Sequence, residues 1–135
     1  MPPVVPLRAG FASLVDDYLA ARAARPLWKE FETLHSCERF ECTNVRKRLS
    51  NPEEPPRFES STSGAYLAAP ADDGTYAVFP FFSASPVQLY HDGAMSEVFV
   101  YPENGGSKMP LVVTPAVFKR QDRQWFLQSR GRLES

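Results

Sequence analysis

Three side chains near the middle of the sequence have the chemistry of a zinc site. His35, Cys37 and Cys42 lie close together in the chain, and imidazole and thiolate are ligands that zinc prefers. A fourth ligand would have to come from His91 or Asp92. Structural zinc sites are usually built from two closely spaced pairs of ligands, and no second cysteine pair follows here. We therefore predict one buried thiol, one half-exposed thiol and a surface histidine, with no metal ion or cofactor.

The same cysteines could in principle serve as nucleophiles, because Cys37 or Cys42 might pair with His35 or His91 as a base. No glycine-rich turn that would hold a nucleophile accompanies either cysteine. The loop from Tyr90 to Gly93 brings several polar groups together, which an enzyme pocket would need. We predict no catalytic residue and no small-molecule substrate, and an enzyme of unknown class built on this loop stays open as an alternative.

A short basic run, Arg46, Lys47 and Arg48, introduces the possibility of nucleic-acid binding, because small barrels can present aromatic rings for base stacking. The run is followed by Glu53 and Glu54, and the formal charge of the whole chain is −1. There is thus no global basic field to hold a phosphate backbone. We predict a solvated charged face, and a nucleic-acid-binding barrel remains the alternative function.

Length and composition indicate a single folded domain. The chain has 135 residues, of which 43% are hydrophobic, including ten Phe and five Tyr, enough to bury a core without disulfides. Its apolar runs are too short to span a bilayer. The first ten residues contain three prolines and no apolar core of a secretory signal. With two cysteines only, we predict a cytoplasmic protein whose residues 1–10 form a flexible arm.

The elements that must position these residues begin with a helix. Apolar residues recur at a spacing of three and four from Phe11 through Leu14, Val15 and Tyr18, which is the stripe of an amphipathic helix. Pro26 then lies where a second helix can start. The pattern predicts a helical cover over residues 11–35, either one kinked helix or two short ones, followed by a loop-rich connector over residues 36–63.

The remainder of the chain, residues 64–133, has the pattern of a small antiparallel β-barrel. Turn sequences separate five apolar runs, which are GAYLAAP, TYAVFPFF, SEVFVY, PLVVTPAVFK and RQWFLQ. In the last run Trp125 and Leu127 should face inward and Phe126 outward, because successive strand residues point to opposite faces. Pro115 predicts either an edge position or a bulge where the strand bends. The fold class is therefore α+β, an SH3-like barrel of five to six strands with a helical cover, and residues 11–135 form one domain.

Several short motifs in this order resemble a small domain that recurs in cyanobacterial proteins. They are Y-x-V-F-P from Tyr76 to Pro80, P-A-V-F from Pro115 to Phe118, W-x-L at Trp125 and G-x-L at Gly131, preceded by the helical segment LVDDY from Leu14 to Tyr18. Members of this family are often appendages of larger proteins. The resemblance implies a barrel and an accessory role, and it implies no catalytic residues.

The chain has more large apolar residues than a barrel of this size needs inside, and exposed apolar patches mark surfaces that bind partners. We therefore predict a non-enzymatic interaction or accessory module that binds a protein partner or its own copy. The predicted partner-binding residues are aromatic and basic: Phe81, Phe82, Tyr90, Phe126, Arg46, Lys47 and Arg48.

Overall fold

A computed structural model describes residues 9–51, 53–71, 74–83, 94–101 and 111–134 of the chain. The N-terminal part is helical, as the spacing of apolar residues predicts. Helix α1 spans Ala9–Ala23, a short 3₁₀ helix spans Arg25–Leu27, and α2 spans Trp28–Leu34. Pro26 occupies the first turn of the 3₁₀ helix, where its missing N–H removes no hydrogen bond. The cover is thus two helices joined at a proline.

Six strands close into an antiparallel barrel, which confirms the predicted fold class. The barrel strands are β1 (Glu38–Cys42), β2 (Phe58–Ser60), β3 (Tyr66–Pro70), β4 (Thr75–Pro80), β7 (Ala116–Gln121) and β8 (Gln124–Ser129). Around the ring their order is β1, β2, β8, β7, β4, β3 and again β1. A smaller sheet contains β5 (Phe99–Val100), β9 (Gly131–Glu134) and β6 (Leu111–Thr114), with β9 in the middle.

Two of the barrel strands lie in the stretch that the sequence predicts to be a loop-rich connector. Strands β1 and β2 pair with each other, with Phe40 opposite Ser60 and Cys42 opposite Phe58. Between them lies helix α3 (Val45–Ser50), which carries the basic run. The barrel therefore starts at Glu38 and not at Gly64. In β1, buried and exposed residues alternate over Phe40, Glu41 and Cys42. This alternation covers too few positions to identify a strand from the sequence.

The run SEVFVY is only partly extended, which corrects the prediction of a barrel strand there. A short helix, α4, spans Met95–Val98, and the two-residue strand β5 follows it. Strand β5 pairs in parallel with β9 in the smaller sheet. Met95, Val98 and Phe99 are all buried. Their hydrophobicity therefore reflects burial of the whole segment and not the alternation of a strand.

One long hairpin links the barrel to the smaller sheet. Strands β6 and β7 are separated by Pro115 alone, and β8 and β9 by Arg130 alone. The pairing shifts by a residue between Val112 and Thr114 and again between Val117 and Phe118. These irregularities flank Pro115, which cannot donate a hydrogen bond to a neighbouring strand. The bend that Pro115 predicts is therefore present, and both arms of the hairpin cross it.

The interior of the barrel is filled by aromatic side chains. Phe40 is central: its ring centroid lies 5.0 Å from that of Tyr66, 4.8 Å from that of Phe118 and 4.7 Å from that of Trp125. Phe58 packs edge-on against Phe40 at 5.7 Å. Such offset and perpendicular pairs add about 0.5–1.5 kcal/mol each beyond the burial of their surface.

A second aromatic cluster joins the helices to the outside of the barrel. Tyr18 of α1 stacks on Phe79 of β4, with 4.3 Å between ring centroids, and its hydroxyl donates a buried hydrogen bond of 2.6 Å to the carbonyl of Pro80. Phe31 of α2 meets Phe79 edge-on at 6.5 Å. The helical stripe is therefore buried against β4.

Gly64 shows why a side chain is not tolerated where the chain enters β3. A Cβ atom at this position would collide with the backbone carbonyl of Phe40, and that carbonyl cannot move without disturbing β1. The Gly64 carbonyl in turn accepts a hydrogen bond of 2.9 Å from Nε of Arg39. Gly74, before β4, has a positive φ of 72°, which fits the predicted turn because glycine accepts this conformation at little steric cost.

Candidate interaction surface

Strand β8 presents one large aromatic side chain to solvent. Trp125 points into the barrel and is 2% exposed, whereas the next residue, Phe126, is 44% exposed. The alternation follows from the pleat of a strand. Leu127 is again partly buried against the core. The predicted orientation of all three residues is confirmed, and Phe126 is an exposed aromatic on the outer face of the barrel.

Phe126 lines a shallow apolar cleft between β8 and the loop that precedes β2. The cleft has a volume of about 400 Å³, and its lining residues are Glu53, Pro55, Pro56, Phe58, Glu97, Trp125, Phe126 and Leu127. We call it the Phe126 cleft. An adjoining depression of about 270 Å³ shares Pro55, Pro56 and Phe126 and extends to Asn44 and Gln124. The surface is thus apolar in its middle and carries carboxylates at its rim.

The proline wall of the cleft is held in place by Asn44. The Asn44 side chain donates from Nδ2 to the carbonyl of Pro55 over 2.8 Å, and its Oδ1 accepts from the backbone N–H of Arg57 over 2.9 Å. The thiol of Cys42 also donates to this Oδ1 over 3.3 Å. One asparagine therefore fixes the backbone on both sides of Pro56. The sequence pattern suggested a loop here, but nothing in it pointed to a partner for Asn44.

The basic run helps to build the cleft and does not form one exposed patch. Arg48 is only 11% exposed; it pairs with Glu97 over 3.1 Å and donates from Nε to the carbonyl of Glu54 over 3.1 Å. Lys47 pairs with the carboxylate of Glu54 over 3.2 Å. Arg46 is exposed. Because α3, the proline loop and α4 are tied together by Arg48, this residue positions Glu97 at the rim.

The other predicted aromatic residues are not beside Phe126. Phe82 is 4% exposed and stacks at 5.4 Å on Trp28 and at 5.5 Å on Tyr18, so it lies in the core under the helices. Phe81 is partly buried, with the guanidinium of Arg39 3.5 Å from its ring centroid. Tyr90 lies outside the described residues. Of the four predicted aromatics, the structure therefore places Phe126 on an open surface.

A second groove, of about 740 Å³, is charged. It is lined by Glu32 of α2, by Cys37 before β1, and by residues of β1, β2 and the turn between β7 and β8, among them Glu59 and Arg123. Two of its basic side chains are already engaged. Arg120 forms an ion pair with Glu38, and Arg39 contacts Gly64 and Phe81. The groove thus offers neither a clear anion site nor a clear cation site.

Cys37 in this groove is not an activated nucleophile. Burial raises the pKa of its thiol to about 12, and the nearby carboxylate of Glu32 acts in the same direction. The thiol is therefore protonated at neutral pH, and the thiol form is a poor nucleophile. Cys42 is buried inside the barrel. The cysteines occupy a partly exposed and a buried position.

The candidate metal ligands point to different partners. His35 contacts the carboxylate of Asp17 over 3.3 Å, while the Cys42 thiol is directed to Asn44. Over the described ranges of the chain, no three His, Cys, Asp or Glu side chains converge on a point where they could hold a metal ion. His91 and Asp92 lie outside those ranges.

Comparison with protein-family models, curated proteins and solved structures finds no match for this chain. The resemblance to a recurring cyanobacterial domain therefore stays a prediction. Within the part of the chain that the structure describes, no helix has the length and hydropathy needed to cross a bilayer.

Proposed function

We propose that this protein is a non-enzymatic interaction module that binds a protein partner, or a second copy of itself, through the Phe126 cleft. The observation that carries the proposal is that the exposed ring of Phe126 lines a cleft together with Pro55, Pro56 and the acidic residues Glu53 and Glu97. Aromatic side chains are enriched in the buried centre of protein interfaces, where a few anchoring residues carry most of the binding energy.

The rigidity of the cleft supports this proposal. Trp125 of the barrel is among its lining residues. Its proline wall is fixed by two hydrogen bonds of Asn44, one donated to the carbonyl of Pro55 and one accepted from the N–H of Arg57. The ion pair of Arg48 with Glu97 fixes the opposite side. A preformed surface loses little conformational entropy on binding, so more of the contact energy appears as affinity.

The cleft is also distinct from the other exposed apolar residues. Leu34 on α2 is 72% exposed, yet it lines none of the cavities described above. Single exposed aliphatic residues are ordinary on protein surfaces. Leu34 therefore provides a matched control, because its replacement removes more exposed apolar surface without touching the cleft.

The experiment compares wild-type protein with Phe126→Asp and Leu34→Asp variants. Sedimentation velocity over a range of concentrations measures self-association, and affinity isolation from native cells measures binding to other proteins. We expect Phe126→Asp to abolish the association and Leu34→Asp to preserve it. If the wild type is a strict monomer and retains no protein that Phe126→Asp loses, the proposal is wrong.

A further inference from the structure

The sequence before α1 contains a pattern that the Phe126 cleft is suited to bind. Residues 2–8 read PPVVPLR, so that Pro3 and Pro6 are three positions apart and Arg8 follows two positions later. Proline-rich segments favour the polyproline II conformation, which has three residues per turn. Pro3 and Pro6 would then lie on one edge of the helix, with Arg8 beyond them. Residues 1–8 lie outside the described part of the chain.

The apolar lining of the cleft matches that edge. Polyproline II segments dock in shallow grooves lined by aromatic side chains, because the preformed extended helix pays little entropy on binding. Phe126, Pro55 and Pro56 all line the cleft. An apolar lining of aromatic and proline side chains suits the rings of Pro3 and Pro6.

A carboxylate at the rim of the cleft, that of Glu53, is complementary in charge to Arg8. Lys47 is paired with Glu54, and Arg48 with Glu97, so the basic run does not neutralise Glu53. Glu53 is exposed and, within the described ranges, has no ion-pair partner. A carboxylate at the rim favours a segment that ends in arginine, because Arg binds carboxylates well.

We propose that the Phe126 cleft binds the segment Pro2–Arg8 of this protein as a polyproline II helix, with Pro3 and Pro6 against Phe126 and Arg8 beside Glu53. The inference rests on the proposed function, because it names the occupant of the same cleft. It gives the proline-rich segment a role as the protein's own ligand.

The probe is a synthetic peptide of residues 1–10, labelled at its C-terminus and followed by fluorescence anisotropy. The protein carries Pro3→Ala and Pro6→Ala, so that its own segment no longer competes for the cleft. We expect this variant to bind the peptide more tightly than the wild type, in which the proline segment competes with the peptide. Equal affinities for the two proteins would overturn the proposal.

Substitutions in the cleft then test whether the peptide binds there. Added to the Pro3→Ala, Pro6→Ala protein, Phe126→Ser should weaken peptide binding by about tenfold or more, the loss expected for an aromatic anchor, and Leu34→Ser should not. Glu53→Lys should also weaken it, and a peptide with Arg8→Glu should restore binding to that variant. Circular dichroism confirms that each protein is folded. A Phe126→Ser variant that binds the peptide unchanged would exclude the cleft.

The result of the peptide experiment can be distinguished from the result of the association experiment that tests the proposed function. If the peptide fails to bind while Phe126→Asp still abolishes association with another protein, the cleft is an interaction site and Pro2–Arg8 is not its ligand. If the peptide binds in the cleft and no protein associates through Phe126, then Pro2–Arg8 is the ligand of the cleft and the proposed interaction with other proteins is wrong.

Discussion

Two parts of the outer surface of the barrel are built differently. On β3 and β4, Leu67 and Phe79 lie directly opposite each other and are fully buried. Tyr18 and Phe31 of the helices pack on Phe79. On β8, Phe126 stands between the polar residues Gln124 and Gln128 and is exposed. The first face holds the fold together, whereas the second leaves an aromatic ring available.

The difference follows from the number of apolar residues that point outward. The outer face of β3 and β4 also includes Ala69 and Ala77, which are buried as well. A continuous apolar face of this kind has to be covered, and an amphipathic helix covers it. The outer face of β8 has polar neighbours on both sides of Phe126, so solvent can reach it at little cost. The packing that stabilises the fold and the proposed binding surface therefore lie on separate faces.

The largest expected effect is on the covered face. Replacing Phe79 by Ala removes a buried ring that stacks on Tyr18 and should lower the free energy of unfolding by about 3–5 kcal/mol. Urea denaturation followed by circular dichroism measures the change. The Phe126→Ala variant is the control on the other face. If Phe79→Ala lowers the free energy of unfolding by less than Phe126→Ala does, the distinction between the two faces is wrong.

The covered face should also make the protein sensitive to alkali. Burial raises the pKa of Tyr18 from 10.0 to about 12, with Arg22 acting in the opposite direction. The unfolded chain therefore loses this proton at a lower pH than the folded chain, and stability falls as the pH rises through that window. The loss should approach roughly 2–3 kcal/mol near the upper limit.

The Tyr18→Phe variant isolates this effect. Burial also raises the pKa of Tyr66, so the wild type and the variant will both lose stability in alkali. We expect the loss between about pH 10 and 12 to be smaller in Tyr18→Phe, because one raised pKa is gone. Urea denaturation at several pH values gives both curves. Parallel curves would show that Tyr18 does not titrate in this window.

At neutral pH the same substitution tests the hydrogen bond from Tyr18 to Pro80. Tyr18→Phe keeps the ring and leaves the carbonyl of Pro80 without this buried donor. An unpaired buried acceptor costs about 1–3 kcal/mol, so the variant should be less stable by roughly that amount. Thermal unfolding measures it. A variant as stable as the wild type would mean that another donor reaches the carbonyl.

The smallest effect on stability is expected on the open face. Phe126→Ser should change the free energy of unfolding by less than about 1 kcal/mol, because surface substitutions rarely cost more. The same variant should lose partner binding, which Leu34→Ser should retain. A Phe126→Ser variant that unfolds as easily as Phe79→Ala would show that Phe126 belongs to the core.

The parts of this fold that the sequence predicts are those set by local periodicity. The helical stripe at Leu14, Val15 and Tyr18 and the alternation of Trp125 and Phe126 each need only a few neighbouring residues to be recognised. The orientation of Phe126, on which the candidate site depends, could thus be predicted. The bend at Pro115 follows likewise from the missing N–H of proline.

The parts that escaped prediction depend on contacts between distant residues. Strands β1 and β2 are short, and each is stabilised by partners elsewhere in the barrel, with Phe58 opposite Trp125. The burial of Phe82 depends on Trp28, and the shape of the cleft depends on the hydrogen bond between Asn44 and Pro55. No periodic pattern marks such pairs.

The closed ring of barrel strands limits how any partner can attach. Each barrel strand is hydrogen-bonded to a neighbour on both sides, so the barrel has no free edge strand to which a strand from another chain could add. The barrel is thereby protected from the edge-to-edge pairing that starts many aggregates. The proposed binding at Phe126 would therefore depend on side chains, and a change of that one residue would alter the binding surface without altering the fold.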